Sequence, residues 1–254
     1  MTLCCWQVFF DDSPFERAEV KRHLPGVTVL DVPDSPLGYI DTIEESGVFD
    51  RLTLSREDVQ RSAYYQQQSA RAVAQSACAS PADFLRSLEM MATIGNVDSE
   101  TLPRIAQLLS KTNQFNLTTR RHTAGEIDGM LKAGGVGLWL RLVDRFGDNG
   151  LVGVALAVPE TEERWRIDTF LLSCRVIGRS VETALLAELN SQVAERGAKV
   201  LVGEYLPTAK NGLVAEFYPK HGFVEEGRGR WIYELNRGMF AGPSFIAVNG
   251  MHPL

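Results

Sequence analysis

The sequence is poor in the features that mark many specialised proteins. It has four cysteines in 254 residues, Cys4, Cys5, Cys78 and Cys174. Cys4 and Cys5 are neighbours without a second cluster, so neither a disulfide framework nor a zinc-ligand spacing is legible, and no metal site is expected. No apolar run approaches the roughly 18 residues that a membrane-spanning helix needs, which argues against a membrane protein. The first residues, MTLCCWQVFFDD, carry no early Lys or Arg and turn acidic at Asp11, so they read as a strand and not as an export signal. Basic charge is not in excess. Against 26 Lys and Arg stand 32 Asp and Glu, a net −6, which argues against binding to bulk nucleic-acid phosphate. No internal repeat is visible. With 44% hydrophobic and 23% charged residues the chain can bury a sizeable core, and a soluble protein of a reducing, cytoplasmic compartment is expected.

What is present is an α/β pattern. A short apolar run, residues 5–10, stops at Asp11 and Asp12, and Pro14 opens a helical pattern that ends at Leu24-Pro25-Gly26. Residues 27–32 read as a second strand, and residues 36–46, 55–78 and 81–89 as helices. A second unit is expected to begin near Met90, giving domains 1–89 and 90–254. In it, strand 90–97 precedes a helix over 99–111 with Leu102, Ile105, Leu108 and Leu109 on one stripe. Thr123 with Glu126 forms a capping box. Strands 137–146 and 150–158 flank Gly147-Asp148-Asn149, read as a hairpin turn. Strand 165–173 runs into a helix over 180–196 whose stripe is Leu185, Leu186, Leu189 and Val193. Strand 199–206, a short helix at 213–220 and a strand at 230–235 follow.

The segment SCRVIGRS carries the strongest local chemistry. Arg175, Val176, Ile177, Gly178, Arg179 and Ser180 run from a strand end to a helix start in the spacing R-x-x-G-x-S. A helix N-terminus presents unpaired N–H groups and a positive dipole end, and Gly178 lets a ligand approach the backbone, so this is a cradle for a phosphate or pyrophosphate. Downstream, NGLVAEFYPKHGF delivers Asn211 and Tyr218. The pair of motifs, in this order and separated by a strand, resembles the GNAT acyltransferase superfamily. There the first motif holds the pyrophosphate of acyl-CoA or the phosphate of a carrier protein's phosphopantetheine, and the downstream Asn and Tyr serve the pantetheine arm and the departing thiol. The resemblance implies a GNAT-like mixed sheet flanked by helices.

Longer strings are more specific. VFFDDSPFERAEV, LPGVTVLDVPDSP, KTNQFNLTTRRHT, DRFGDNGLVGV, IDTFLLSCRVIGR and PTAKNGLVAEFYPKHGF resemble the C-terminal portion of FkbH-like proteins of natural-product biosynthesis, which join a HAD-like phosphatase domain to a GNAT-like domain. In that family the catalytic D-x-D motif lies upstream of the aspartates matched by Asp11 and Asp12, and Ser13 stands where Asn is usual. The N-terminal unit is therefore expected to be a truncated HAD-like remnant without phosphatase or glyceryl-loading chemistry, and Asp11 and Asp12 to act as helix-capping acids. The resemblance implies an acyl carrier protein as partner and phosphopantetheine thioester as donor, with acyl-CoA as the alternative, no permanently bound cofactor, and a small-molecule amine or hydroxyl as acceptor.

Arg120, Arg121, Arg175, Arg179, Lys210 and Lys220 are expected to form a basic mouth for an acidic partner. Lys210 is grouped with Asn211 at the donor. A nucleophile must lose a proton, and the candidate bases are Asp168, Glu204, Asp144 and His122, the last standing where the family more often has Tyr. Asn113, Gln114, Asn116 and Glu204 are candidates for lining the acceptor pocket. Cys174 could carry an acyl group as a thioester but is expected to pack. The donor arm is expected between strands 165–173 and 199–206. A second reading is a non-catalytic carrier-binding module derived from a glyceryl-loading ancestor, and a third is an acyl-CoA-dependent N-acetyltransferase.

Overall fold

The computed structural model describes residues 7–49, 56–237 and 242–251. Cys4, Cys5 and Ser55 lie outside them. The chain forms two compact units, residues 1–62 and 63–254.

In the first unit, strand β1 (Gln7–Phe9) and strand β2 (Val27–Val29) pair in parallel, and helix α1 (Pro14–His23) connects them. Ser13, not an aspartate, caps α1 by accepting from the Glu16 amide. Asp11 acts one step earlier: its carboxylate accepts from the Ser13 amide, while Arg17 donates to the Asp11 and Asp12 carbonyls. The helix expected over 36–46 is a 3₁₀ turn at Pro36–Gly38 followed by α2 (Tyr39–Glu45). Helix α3 (Arg56–Ala77) runs across the division at residue 62, so its later turns belong to the second unit.

The second unit continues with α4 (Pro81–Ser87), β3 (Met90–Asn96), α5 (Leu102–Lys111), β4 (Phe115–Asn116), α6 (Ala124–Lys132), β5 (Val136–Asp144), β6 (Gly147–Pro159), β7 (Arg164–Leu172), α7 (Val181–Glu195), β8 (Val200–Glu204), α8 (Phe217–Lys220), β9 (Val224–Gly227), β10 (Arg230–Glu234) and β11 (Ile246–Met251). The strands form one mixed sheet in the order β11-β3-β5-β6-β7-β8-β10-β9, with β4 paired to β7. β11 runs parallel to β3 and β7 parallel to β8, and the other pairs are antiparallel. The expected mixed sheet flanked by helices is what forms. The central strands read as nearly continuous apolar runs because both faces are covered. Leu185, Leu186, Leu189 and Val193 of α7 join the larger core with Phe170 and Leu172. Ile105, Leu108, Leu109 and Ile127 of α5 and α6 form a second core with Val154, Leu156 and Leu171. The Thr123–Glu126 capping box starts α6 as expected.

Two local features depart from the sequence pattern. The β5–β6 turn falls at Arg145 and Phe146, and β6 begins at Gly147, so Gly147-Asp148-Asn149 is strand and not turn. The Asp144 carboxylate accepts from the Phe146 amide at 2.9 Å and closes the chain two residues early. β4 has only two residues, too few for a period-2 signal, and β9 and β11 are likewise unmarked in the pattern.

Candidate functional site

β7 shifts register on β6: Ala157 faces Ile167 and Leu156 faces Thr169, which leaves Asp168 as a bulged residue. A bulge bends its strand and increases the local twist. Accordingly β7 and β8 pair only from Arg164↔Val200 to Arg166↔Val202 and then part. This parting of two parallel strands is the crevice assigned to the donor arm. It is already filled. Phe115 and Asn116 pair with Leu172 and Leu171, the Leu117 amide donates to the Phe170 carbonyl at 3.1 Å, and the Leu206 amide donates to the Leu117 carbonyl at 2.8 Å. A bare strand edge inside the protein would leave backbone groups unpaired, and the segment after α5 satisfies them. The simple threading of an arm between the two strands is thereby corrected.

The segment is pinned by the two asparagines assigned to ligands. Asn211, fully buried, donates to the Asn116 and Leu206 carbonyls and accepts from the Thr208 amide. Asn116, also fully buried, donates to the Thr112 carbonyl and accepts from the Thr119 amide. Both side chains are spent on backbone. Thr119 holds φ 53°, which is costly for a β-branched residue. That conformation lets Thr118 and Arg120 both donate to the Asp168 carbonyl, at 2.9 and 3.2 Å.

The bulge side chain organises a charged cluster from candidates that are scattered in sequence. His122 Nε2 lies 2.6 Å from Asp168 Oδ2, Arg166 Nη1 lies 2.9 Å from Oδ1, and Arg120 reaches Oδ1 at 3.4 Å. Arg120 also donates to Glu204 at 2.7 Å. Burial alone would raise the Asp168 carboxyl, but hydrogen bonds from Arg166 and His122 outweigh it and hold the group below the usual carboxylate range. Asp168 is therefore a fixed anion and a poor base. It can orient His122, whose Nδ1 has no partner among the described residues. An ionised carboxylate only accepts, so in the neutral ring Nε2 carries the proton and Nδ1 keeps a lone pair. The i,i+2 spacing in Trp165-Arg166-Ile167-Asp168 was a signal for Arg166, which the motif reading passed over.

Tyr218 is 0% exposed. Its ring lies on Gly203 of β8 so closely that a β-carbon there would stand 2.1 Å from a ring carbon. Phe217 and Phe223 close round it with ring centroids at 5.2 and 4.9 Å. Its hydroxyl faces the backbone of Glu204 without forming a full hydrogen bond, and burial pushes the phenol far above its usual value. The group stays protonated and can only be a hydrogen-bond donor to something that arrives. Glu204 and Arg120 act on it electrostatically, so the phenol and the His122–Asp168 pair border one cluster.

At the expected cradle, Gly178 and Ser180 both take left-handed backbone, φ 80° and 59°, ahead of α7. A β-carbon at Gly178 would meet nothing within 4 Å, so the backbone there is open to a ligand. The backbone at the head of this 15-residue helix is open to approach, the geometry that an anion-binding nest requires. Val176 packs in the core. Arg175 spans Tyr64, its guanidinium 5.0 Å from the ring centroid, and donates to Ser173. The Arg179 side chain turns inward. It donates to Asp144 at 2.9 Å, and Arg71 of α3 grips the same carboxylate with two bonds of 2.9 Å. Asp144, fully buried, is thus no base, and the Arg179 charge is committed to it and not to the head of α7.

Of the other candidates, Gln114, Lys210 and Lys220 are exposed, and Asn113 bonds Arg121. Cys174 is an exposed free thiol and is not packed as expected. Among the described residues no group of three His, Cys, Asp or Glu could hold a metal ion, and no helix is long and apolar enough to cross a membrane. Nothing in the sequence pointed to Arg71.

No family model matches the chain, and no curated protein matches it either. Among solved structures, a GNAT-family protein from Desulfovibrio desulfuricans is similar with 19% identity and a TM-score of 0.46, covering 57% of this chain and 99% of its own. A GNAT-family acetyltransferase from Staphylococcus aureus gives 12% and 0.45 over 57% of this chain and 99% of its own. A GNAT-family acetyltransferase from Elizabethkingia anophelis, with acetyl-CoA bound, gives 16% and 0.40 over 56% of this chain and 97% of its own.

Proposed function

We propose that this chain is an acyltransferase that moves an acyl group from a phosphopantetheine thioester to an amine or hydroxyl by direct attack. The observation that carries the reading is one cluster at the parting of β7 and β8, bordered by an oriented imidazole and by a buried, unpartnered phenol. The nest at the head of α7 supports it, as a seat for the donor's phosphate. His122 takes the proton of the nucleophile, Asp168 holds the ring, and Tyr218 hydrogen-bonds the departing sulfur. A phenol held this far above its ordinary value does not need to give up its proton. A thiolate leaves more readily once hydrogen-bonded.

The FkbH-like strings favour a carrier protein over CoA as the donor's handle. The test is thiol release from an acylated carrier protein and from the matching acyl-CoA. A preference of roughly tenfold for the carrier, about 1.4 kcal/mol, is expected, and equal or reversed use would make CoA the donor. Product mass separates transfer from the second reading, a binding module without turnover, which the filled β7 edge favours.

That edge gives a further expected result. A thioester can run along β7 to Tyr218 only when β4 releases it. Adding the donor is expected to speed hydrogen exchange at the Leu117 amide, now bonded to Phe170. Unchanged or slower exchange would mean that the arm takes another path.

A further inference from the structure

We infer that the acceptor is a hydroxyl compound without an ammonium group, so that the product is an ester and not an amide; this rests on the acyltransferase reading. Two observations carry it, one about the base and one about charge.

An amine that reaches neutrality in solution attacks a thioester unaided by a strong base, whereas an alcohol becomes a competent nucleophile only as its proton is taken in the transition state. A carboxylate-oriented imidazole is the arrangement that removes a hydroxyl proton. Here Asp168 holds His122 at 2.6 Å, the bulge fixes Asp168, and the far nitrogen of the ring has no partner among the described residues. The His122 side chain is 13% exposed, enough to be reached and dry enough to act.

The buried and half-buried carboxylates beside it are already held by cations. Arg120, Arg121 and Arg166 border the ring's loop and strand. Asp168 is held by Arg166, Arg120 and His122. Glu204 is held by Arg120, with Arg166 at 3.6 Å and Arg230 at 3.8 Å. Glu126, the next acid along the chain, caps α6 with one carboxylate oxygen; it is exposed, and its charge acts on His122 from the solvent side. Arg121 bonds Asn113 and no carboxylate among the described residues. An ammonium acceptor would come beside Arg120 and Arg166, whose carboxylate partners Asp168, Glu204 and Glu160 are already engaged, and would find only the exposed Glu126 without a cation among the described residues. A neutral or anionic alcohol meets hydrogen-bond donors throughout.

The step balances. The acceptor oxygen bonds the thioester carbonyl carbon as its proton passes to His122 Nδ1. The carbon–sulfur bond breaks, and the thiolate leaves hydrogen-bonded to Tyr218. His122 then returns the proton to solvent or to the thiolate, so that alcohol and thioester give ester and thiol.

The experiment offers the full chain acetyl-loaded carrier protein and acetyl-CoA with carbon-matched acceptors: propanol against propylamine, lactate against alanine, 3-hydroxybutyrate against 3-aminobutyrate. Free thiol and product mass are read together. Ester formation at least tenfold faster than amide formation is expected. Faster amide formation overturns the inference and leaves the acyltransferase reading standing. No acceptor-dependent thiol release with any member of the panel overturns that reading, and this inference falls with it. His122→Ala is expected to lose at least a hundredfold in ester formation while staying folded, with a modest fall in melting temperature from the lost bond to Asp168, and added imidazole is expected to restore part of the rate. An unchanged rate in that variant removes the base and overturns the inference.

Discussion

Tyr218→Phe is expected to fold at least as stably as the parent and to transfer acyl groups a hundredfold or more slowly. The two effects have one cause. The hydroxyl is fully buried without a hydrogen-bond partner, and a polar group left so costs about 1–3 kcal/mol. Removing the oxygen relieves that cost and leaves the ring's contacts with Gly203, Phe217 and Phe223 intact. A gain of about 1 kcal/mol would raise the melting temperature by roughly 2–4 °C in a domain of this size. In the proposed reaction the same oxygen would be the donor to the departing sulfur, and loss of one such preorganised donor costs about 10²–10³-fold. Melting and single-turnover rates on one preparation decide it. A variant that melts lower and turns over normally would make Tyr218 a packing residue.

Asp144→Asn should produce the largest loss of stability. Asp144 is fully buried between Arg71 and Arg179, whose side chains are 5% and 8% exposed. Without the carboxylate the two guanidinium groups face each other with no counter-charge in a dry site. Breaking a buried ion pair from one side costs about 3–5 kcal/mol, which here means a fall of roughly 10 °C in melting temperature. The pH dependence has a definite sign. Burial would raise the Asp144 carboxyl, but Arg71, the Phe146 amide and Asn149 hold it below the usual range. A carboxyl whose folded value lies below its unfolded one stabilises fully above about pH 4, and that contribution is lost as pH falls through the lowered folded value. Asp168 acts in the same direction. The parent should lose stability steeply below pH 4, and Asp144→Asn less steeply, in denaturation curves taken from pH 3 to 7. Equal slopes would show that Asp144 is not ionised in the folded protein.

The tie between Arg71 and Arg179 also alters the meaning of a charge reversal at Arg179. Such a change reads the buried Asp144 pair before it reads any docking surface. Arg175, half-buried on Tyr64, and the exposed Lys210 are the residues at which a carrier's acidic face can be tested.

The sequence by itself determined what depends on neighbours along the chain. The apolar stripe Leu185, Leu186, Leu189 and Val193 set α7 and the face it buries. Thr123 and Glu126 set the start of α6, and the run from Cys174 to Ser180 set the turn that leads into α7. Periodicity and capping are local physics, and each needs only a few consecutive residues. The tertiary structure decided which polar groups face which. Sequence reading named His122, Asp168 and Glu204 as competing bases; the bulge at Asp168 made them one cluster with distinct parts. It named Arg179 and Asn211 as ligand contacts, and a carboxylate from β5 and the backbone of the 116–119 loop claimed their side chains. It left the edge of β7 open, and two residues of β4 closed it. The reason is common to all of these. A buried donor or acceptor must be satisfied from whatever the fold brings within about 3 Å, and that partner lies 35, 46 or 95 residues away in the chain, beyond the reach of any local pattern.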